Sequence, residues 1–115
     1  MNQPFTIAIH GGAGTLVKGM MTPETERDYT QALEKALDIG YAVLEGGGTA
    51  TDAVLQSVMA LEDSPLFNAG KGSVFTAGGT HEMDAAIMDG MDRSFGAACT
   101  VQHIKHPINL ARKIM

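Results

Sequence analysis

The chain has 115 residues, 44% of them hydrophobic and 18% charged, with a net charge of -5. That is the composition of a soluble globular domain, or of part of a larger one. Lysines and arginines form no cluster, which excludes the electrostatic footprint of a nucleic-acid binder, and no apolar run approaches the roughly 18 residues of a membrane span. Met1-Asn2-Gln3-Pro4 lacks the basic and apolar regions of a secretory signal, and the single cysteine, Cys99, has no internal disulfide partner. A cytoplasmic location is the expectation.

Phe5-Thr6-Ile7-Ala8-Ile9 is short, apolar and rich in β-formers, and it runs into glycines, which predicts a buried strand. A helix should then start with Thr22 as N-cap, Pro23 in the first position, and Glu24 and Glu26 near the positive end of the dipole. Tyr29, Leu33, Ala36, Leu37, Gly40, Tyr41 and Leu44 recur at three- and four-residue spacing, one face of an amphipathic helix, and Gly46-Gly47-Gly48 ends it. Thr49 with Asp52 three residues on is a capping-box variant. It opens a second helix over residues 51–62, expected to be mostly buried through Val54, Leu55, Val58, Met59 and Leu61.

Leu61-Glu62-Asp63-Ser64-Pro65-Leu66-Phe67-Asn68-Ala69-Gly70-Lys71-Gly72 follows, too broken by proline and glycine for helix or strand. It is either an ordinary helix-to-strand loop with Leu66 and Phe67 in the core, or a loop whose main-chain carbonyls coordinate a hard cation. Residues 73–76 and 82–88 predict a hairpin around Gly78-Gly79, and residues 95–102 a further strand. Pro107 starts a last helix with Ile108, Ala111, Ile114 and Met115 on its inner face. The order implies an α+β fold, a single unit over residues 1–115 with helices packed on a mainly antiparallel sheet. Arg112-Lys113-Ile114-Met115 carries no helix-stop signal, so the chain is expected to end in mid-domain.

His10-Gly11-Gly12-Ala13-Gly14 presents backbone N–H groups without side chains, either as a tight turn or as a cradle for an oxyanion or another backbone segment. Dinucleotide, Walker and esterase patterns all fail around it. Asn68 can donate and accept at once, which suits positioning a nucleophile or carbonyl. Asp84 is either a paired buried carboxylate or part of a solvated face, and Asp89 reads as a turn residue. Zinc binding by His81, His103 and His106 finds little support, with one thiol and no H-E-x-x-H pattern. Cys99, among small residues, reads as a buried, inert thiol.

Taken together, Ile7-Ala8-Ile9-His10-Gly11-Gly12-Ala13-Gly14, Asp52-Ala53-Val54, the loop from Pro65 to Gly72, and Glu82-Met83-Asp84-Ala85-Ala86-Ile87-Met88-Asp89-Gly90 resemble the N-terminal part of plant-type L-asparaginases, the isoaspartyl peptidases. The resemblance implies an αββα sandwich of the N-terminal-nucleophile hydrolase type. It implies a precursor that cleaves itself before a threonine, whose freed amino group then activates its own hydroxyl against asparagine or β-aspartyl dipeptides. It implies a structural sodium held by the main-chain carbonyls of Leu61, Glu62, Ser64, Phe67, Ala69 and Lys71, and no organic cofactor. Asn68 would support the active site beside the nucleophile, with Gly11 and Gly12 near the cleavage site. The nucleophile itself is expected outside this chain, because Gly14-Thr15, Gly48-Thr49 and Gly79-Thr80 lack the family's surroundings. The implied partners are the C-terminal β-subunit of the same precursor, a second αβ unit completing a heterotetramer, and a small-molecule substrate. An inactive remnant acting as a binding or oligomerisation module, and an enzyme for glycosylated asparagine, are the alternatives.

Overall fold

Thr22 opens the first helix as the sequence predicts: its hydroxyl accepts from the Thr25 N–H at 3.1 Å, and α1 runs Pro23–Glu45. In this computed structural model, which describes residues 4–14 and 19–115, α1 ends where Gly47 turns left-handed (φ 82°) and Gly48 N–H returns to the Val43 carbonyl at 2.8 Å. Thr49 accepts from the Asp52 N–H at 3.1 Å and caps α2, Ala50–Asp63. The broken loop follows, ending in a 3-10 turn at Gly70–Gly72. Two strands, β1 (Met83–Met88) and β2 (Phe95–Val101), and a helix α3 (Pro107–Ile114) complete the chain.

α1 packs on α2 through a close crossing at Gly40, where a Cβ would collide with Ser57 Oγ and with Ile7. The buried face of α2 is Thr51, Ala53, Ser57 and Glu62, small or polar residues, while Val54 is 40% exposed. Of the apolar residues expected to bury α2, Leu55, Val58 and Met59 are half-buried against the core, and Val54 alone is exposed. β1 and β2 pair antiparallel, with Ala86 opposite Ala97 and Met88 opposite Phe95. α3 lies across one face of the sheet, close enough that a Cβ on Gly96 would run into the Ala111 carbonyl. Ile87, Ile108 and Ala111 form the core there, lined by Leu55, Val58 and Met59 from α2. Ile114, expected on the inner face of α3, is 55% exposed.

Three further expectations are corrected. Residues 5–9 have the alternating burial of a strand but no ladder partner among the described residues. The Gly78-Gly79 turn makes only a single bridge, Phe75 to His81, and the true hairpin joins β1 to β2. Its turn is held by Asp89, which accepts from Met91 N–H (2.8 Å) and from the Thr51 hydroxyl of α2 (3.1 Å). Cys99 lies on the open face of β2 and is exposed, because that strand carries small residues on both faces and only one face is covered by α3.

The molecule is thin and open. Its accessible surface is 8095 Å², where a folded 12.1 kDa monomer exposes about 6,000 Å². Its radius of gyration is 15.3 Å, against about 13 Å for a compact domain of this length.

Candidate active-site face and its family

The glycine run and the broken loop meet. Gly11, Gly12, Gly14, Tyr29, Leu66, Phe67, Asn68, Gly72 and Val74 line one cleft of about 220 Å³. Each part of it has a local cause. Gly12 has φ 112°, a conformation that disfavours any residue with a Cβ. Gly11 lies so close under α1 and the loop that a Cβ would press on Leu33 Cδ2 at 2.9 Å and Phe67 Cε1 at 3.0 Å. Phe67 is buried and meets Tyr29 edge-on, with ring centroids 5.7 Å apart. The loop therefore hangs on α1 through Phe67, and the adjacent Asn68 is held at the rim. Asn68 Oδ1 accepts from the Val74 N–H at 3.0 Å, which leaves its NH₂ as the donor.

Below the rim, Glu62, Asn68, Ala69, Gly70, Ser73, Glu82, Met83, Asp84 and Pro107 line a more polar cavity of about 250 Å³. Glu62 is 3% exposed. Its Oε1 accepts from the Ile108 N–H at 3.0 Å, tying the last turn of α2 to the first turn of α3, while Oε2 has no partner among the described residues. Burial pushes its carboxyl up from 4.5 to about 7, against the pull of the Ile108 bond and helped by the neighbouring Asp63 charge. Asp63 moves the other way. A hydrogen bond from the Lys105 ammonium holds it below the ordinary carboxylate range, and His106 Nε2 also donates to it at 3.0 Å. Asp84 lies on the solvated face and accepts from Thr100 N–H at 2.7 Å. Thr100, at φ 54°, is where the β1–β2 register shifts, so Asp84 satisfies the N–H that the bulge frees.

The loop carbonyls named from the sequence are a set of hard oxygen donors. A Cβ on Gly70 would strike the Glu62 backbone, and one on Gly72 would strike the Phe67 and Pro65 carbonyl oxygens. The glycines thus let carbonyls crowd into the turn. Those of Leu61, Phe67 and Ala69 accept N–H groups from Ser64, Ala69 and Gly72 at 3.1, 2.8 and 3.1 Å, each retaining a second lone pair. An all-oxygen, main-chain set suits an alkali or alkaline-earth cation. Among the described residues no group of three His, Cys, Asp or Glu side chains is arranged for a metal. Among the described residues no helix is long and apolar enough to cross a membrane.

The family profile described as "Asparaginase" matches residues 2–115. The chain belongs to the asparaginase family. It is 48% identical over 109 residues to the isoaspartyl peptidase of Salmonella typhimurium, covering 95% of this chain and 35% of that protein. It is 46% identical over 112 residues to the isoaspartyl peptidase/L-asparaginase of Homo sapiens, with 97% of this chain and 35% of that protein covered. With the isoaspartyl peptidase of Escherichia coli (strain K12) the identity is 45% over 109 residues, 95% and 34% of the two chains. The chain therefore spans about a third of the length of the curated relatives it matches.

Two features of this asparaginase-family chain lay outside the sequence-derived set of site residues. The side chain of Glu62, as distinct from its carbonyl, joins the end of α2 to α3; no sequence signal marks a buried carboxylate in advance. The second is the sheet face opposite α3, where Met88 is 60% and Phe95 67% exposed beside exposed Ala86 and Ala97. That one was readable: Met83-Asp84-Ala85-Ala86-Ile87-Met88 is apolar on both faces apart from Asp84, the pattern of a strand covered twice.

Proposed function

We propose that this chain is the N-terminal, α-subunit portion of a threonine-nucleophile amidohydrolase that acts on L-asparagine and on β-aspartyl dipeptides. The observation that carries the reading is the single cleft that gathers Gly11, Gly12 and Asn68, the residues to which the family resemblance assigns active-site support. Membership of the asparaginase family and the names of the relatives supply the reaction class.

In this reading the attacking hydroxyl comes from the polypeptide that supplies the rest of the relatives' length. The excess surface and the apolar face of Ala86, Met88, Phe95 and Ala97 favour such a partner, since an exposed apolar patch of this kind marks an interaction surface. The second sheet of the sandwich would cover it. Gly11 and Gly12 leave the cleft wall free of side chains, so a foreign backbone can approach. Asn68, its carbonyl oxygen engaged by Val74, directs its NH₂ toward the nucleophile oxygen or the charge that develops on the substrate carbonyl. The threonine oxygen bonds to the side-chain carbonyl carbon, its proton passes to the chain-terminal amine, and ammonia or the peptide amine leaves with that proton. Water then cleaves the ester and releases aspartate. Leu61, Glu62, Ser64, Phe67, Ala69 and Lys71 would hold a sodium ion through their carbonyls. Its charge would fix the loop that carries Asn68. The chain alone is inactive in this scheme, and a dimer of αβ units is the expected assembly.

The test is co-expression with the C-terminal remainder, followed by ammonia release from L-asparagine and aspartate release from an isoaspartyl dipeptide. Activity should require both polypeptides. Asn68→Ala should lower kcat on the order of a hundredfold, the usual loss for one electrostatic donor. A well-folded complex that hydrolyses neither substrate ends the reading.

A further inference from the structure

A third cleft, of about 370 Å³, adjoins the polar cavity through Gly70, Ser73 and Met83, and its charged lining residues are basic: Lys71, His81, His103 and Lys105 surround it with Ile104. In a chain of net charge -5, two lysines and two of the four histidines converge here, and no carboxylate lines the space. We propose that this cleft binds a small oxyanion, of the phosphate or dicarboxylate type, at a site separate from the Asn68 cleft.

The donors have assignable roles. His81 stacks on Phe75 with centroids 4.1 Å apart, and its Nδ1 lies 3.2 Å from Ser73 Oγ. The pair is a polar wall fixed by an aromatic backing, and Nε2 is the ring nitrogen that remains for a ligand. His103 is a non-glycine residue at φ 60°, a conformation that costs free energy and is enriched where a side chain is aimed for a purpose. Lys71, on the 3-10 turn, and Lys105, 77% exposed, bring flexible ammonium groups to the rim. Of the acidic neighbours, Asp63 is paired with Lys105 and His106, both at 3.0 Å, so an anion would share the Lys105 ammonium with it, while Glu82 accepts from the Thr80 hydroxyl and the Gln102 amide, both at 3.4 Å. Lysine, imidazole and hydroxyl together make a donor set for anionic oxygens, and Met83 and Ile104 supply the apolar part of the lining.

The test is a titration of the purified full chain, at constant ionic strength, with inorganic phosphate and separately with succinate, read by amide NMR shifts. Saturable shifts confined to residues 70–73, 81 and 103–105 are expected with Kd on the order of 1 mM, the affinity suited to a few exposed ionic contacts. Lys71→Gln combined with His103→Asn, asparagine being tolerant of positive φ, should weaken binding about tenfold while leaving the spectrum elsewhere unchanged. Binding of either anion that the double variant weakens supports the proposal. It is overturned if neither anion gives saturable shifts, if the shifts map elsewhere, or if the double variant binds as tightly as the parent. None of these outcomes depends on the hydrolase reading.

Discussion

Replacing Glu62 by glutamine isolates one ionisation in a buried joint. The glutamine oxygen can still accept from Ile108 N–H, so the α2-to-α3 link survives. The folded carboxyl sits at about 7 and the unfolded one near 4.5. A raised carboxyl means the folded chain holds a proton that the unfolded chain has released. Its contribution is therefore fully present below pH 4.5 and is lost as pH rises toward 7. The gap corresponds to roughly 3 kcal/mol, at 1.36 kcal/mol per unit. Asp63 titrates below its ordinary value of 3.8, outside this window, and is unchanged by the substitution. Urea unfolding of parent and Glu62→Gln from about pH 4.5 to about pH 8 should give curves that diverge by up to that amount. The variant should be equal or slightly weaker at the acid end, where its unpaired NH₂ replaces an unpaired OH, and the more stable at the alkaline end. Carbon-13 titration of the Glu62 carboxyl gives the direct reading. Parallel stability curves, or a carboxyl that titrates as an ordinary glutamate, would refute the burial argument.

Three other substitutions test local causes. Gly72→Ala drives a Cβ into the Phe67 and Pro65 carbonyl oxygens and should cost more than about 2 kcal/mol in urea unfolding, because backbone rather than a movable side chain is struck. An unchanged midpoint and slope would show that the loop is not packed as described. Thr49→Ala removes the acceptor for Asp52 N–H and should cost about 1 kcal/mol, while Thr49→Ser should be near neutral in the same melt. Asp84→Ala leaves the Thr100 N–H without its 2.7 Å partner. A loss on the order of 1 kcal/mol, with faster exchange of that amide, is expected.

What could be read from the sequence were the features whose cause is local. Thr22 with Pro23, Thr49 with Asp52, the triple glycine and Pro107 set helix ends because each acts on backbone groups within a few residues. The motif positions of the cleft were equally legible, since Gly12 needs its φ and Phe67 its depth whatever lies beyond. The failures share a different cause, which is pairing at a distance. Residues 5–9 have the right alternation, yet a strand is defined by a partner, and the described residues offer none. Asp89-Gly90 is at least as strong a turn signal as Gly78-Gly79, and β1 followed the Ala85–Ala98, Ala86–Ala97 and Ile87–Gly96 pairs, which bring Gly96 under α3. Cys99 was misplaced for the same reason: its strand has the composition of one covered on both faces, and here only the α3 face is covered. The misreadings at Cys99 and at residues 5–9 thus share one cause: each has the sequence pattern of a covered strand and an open face among the described residues.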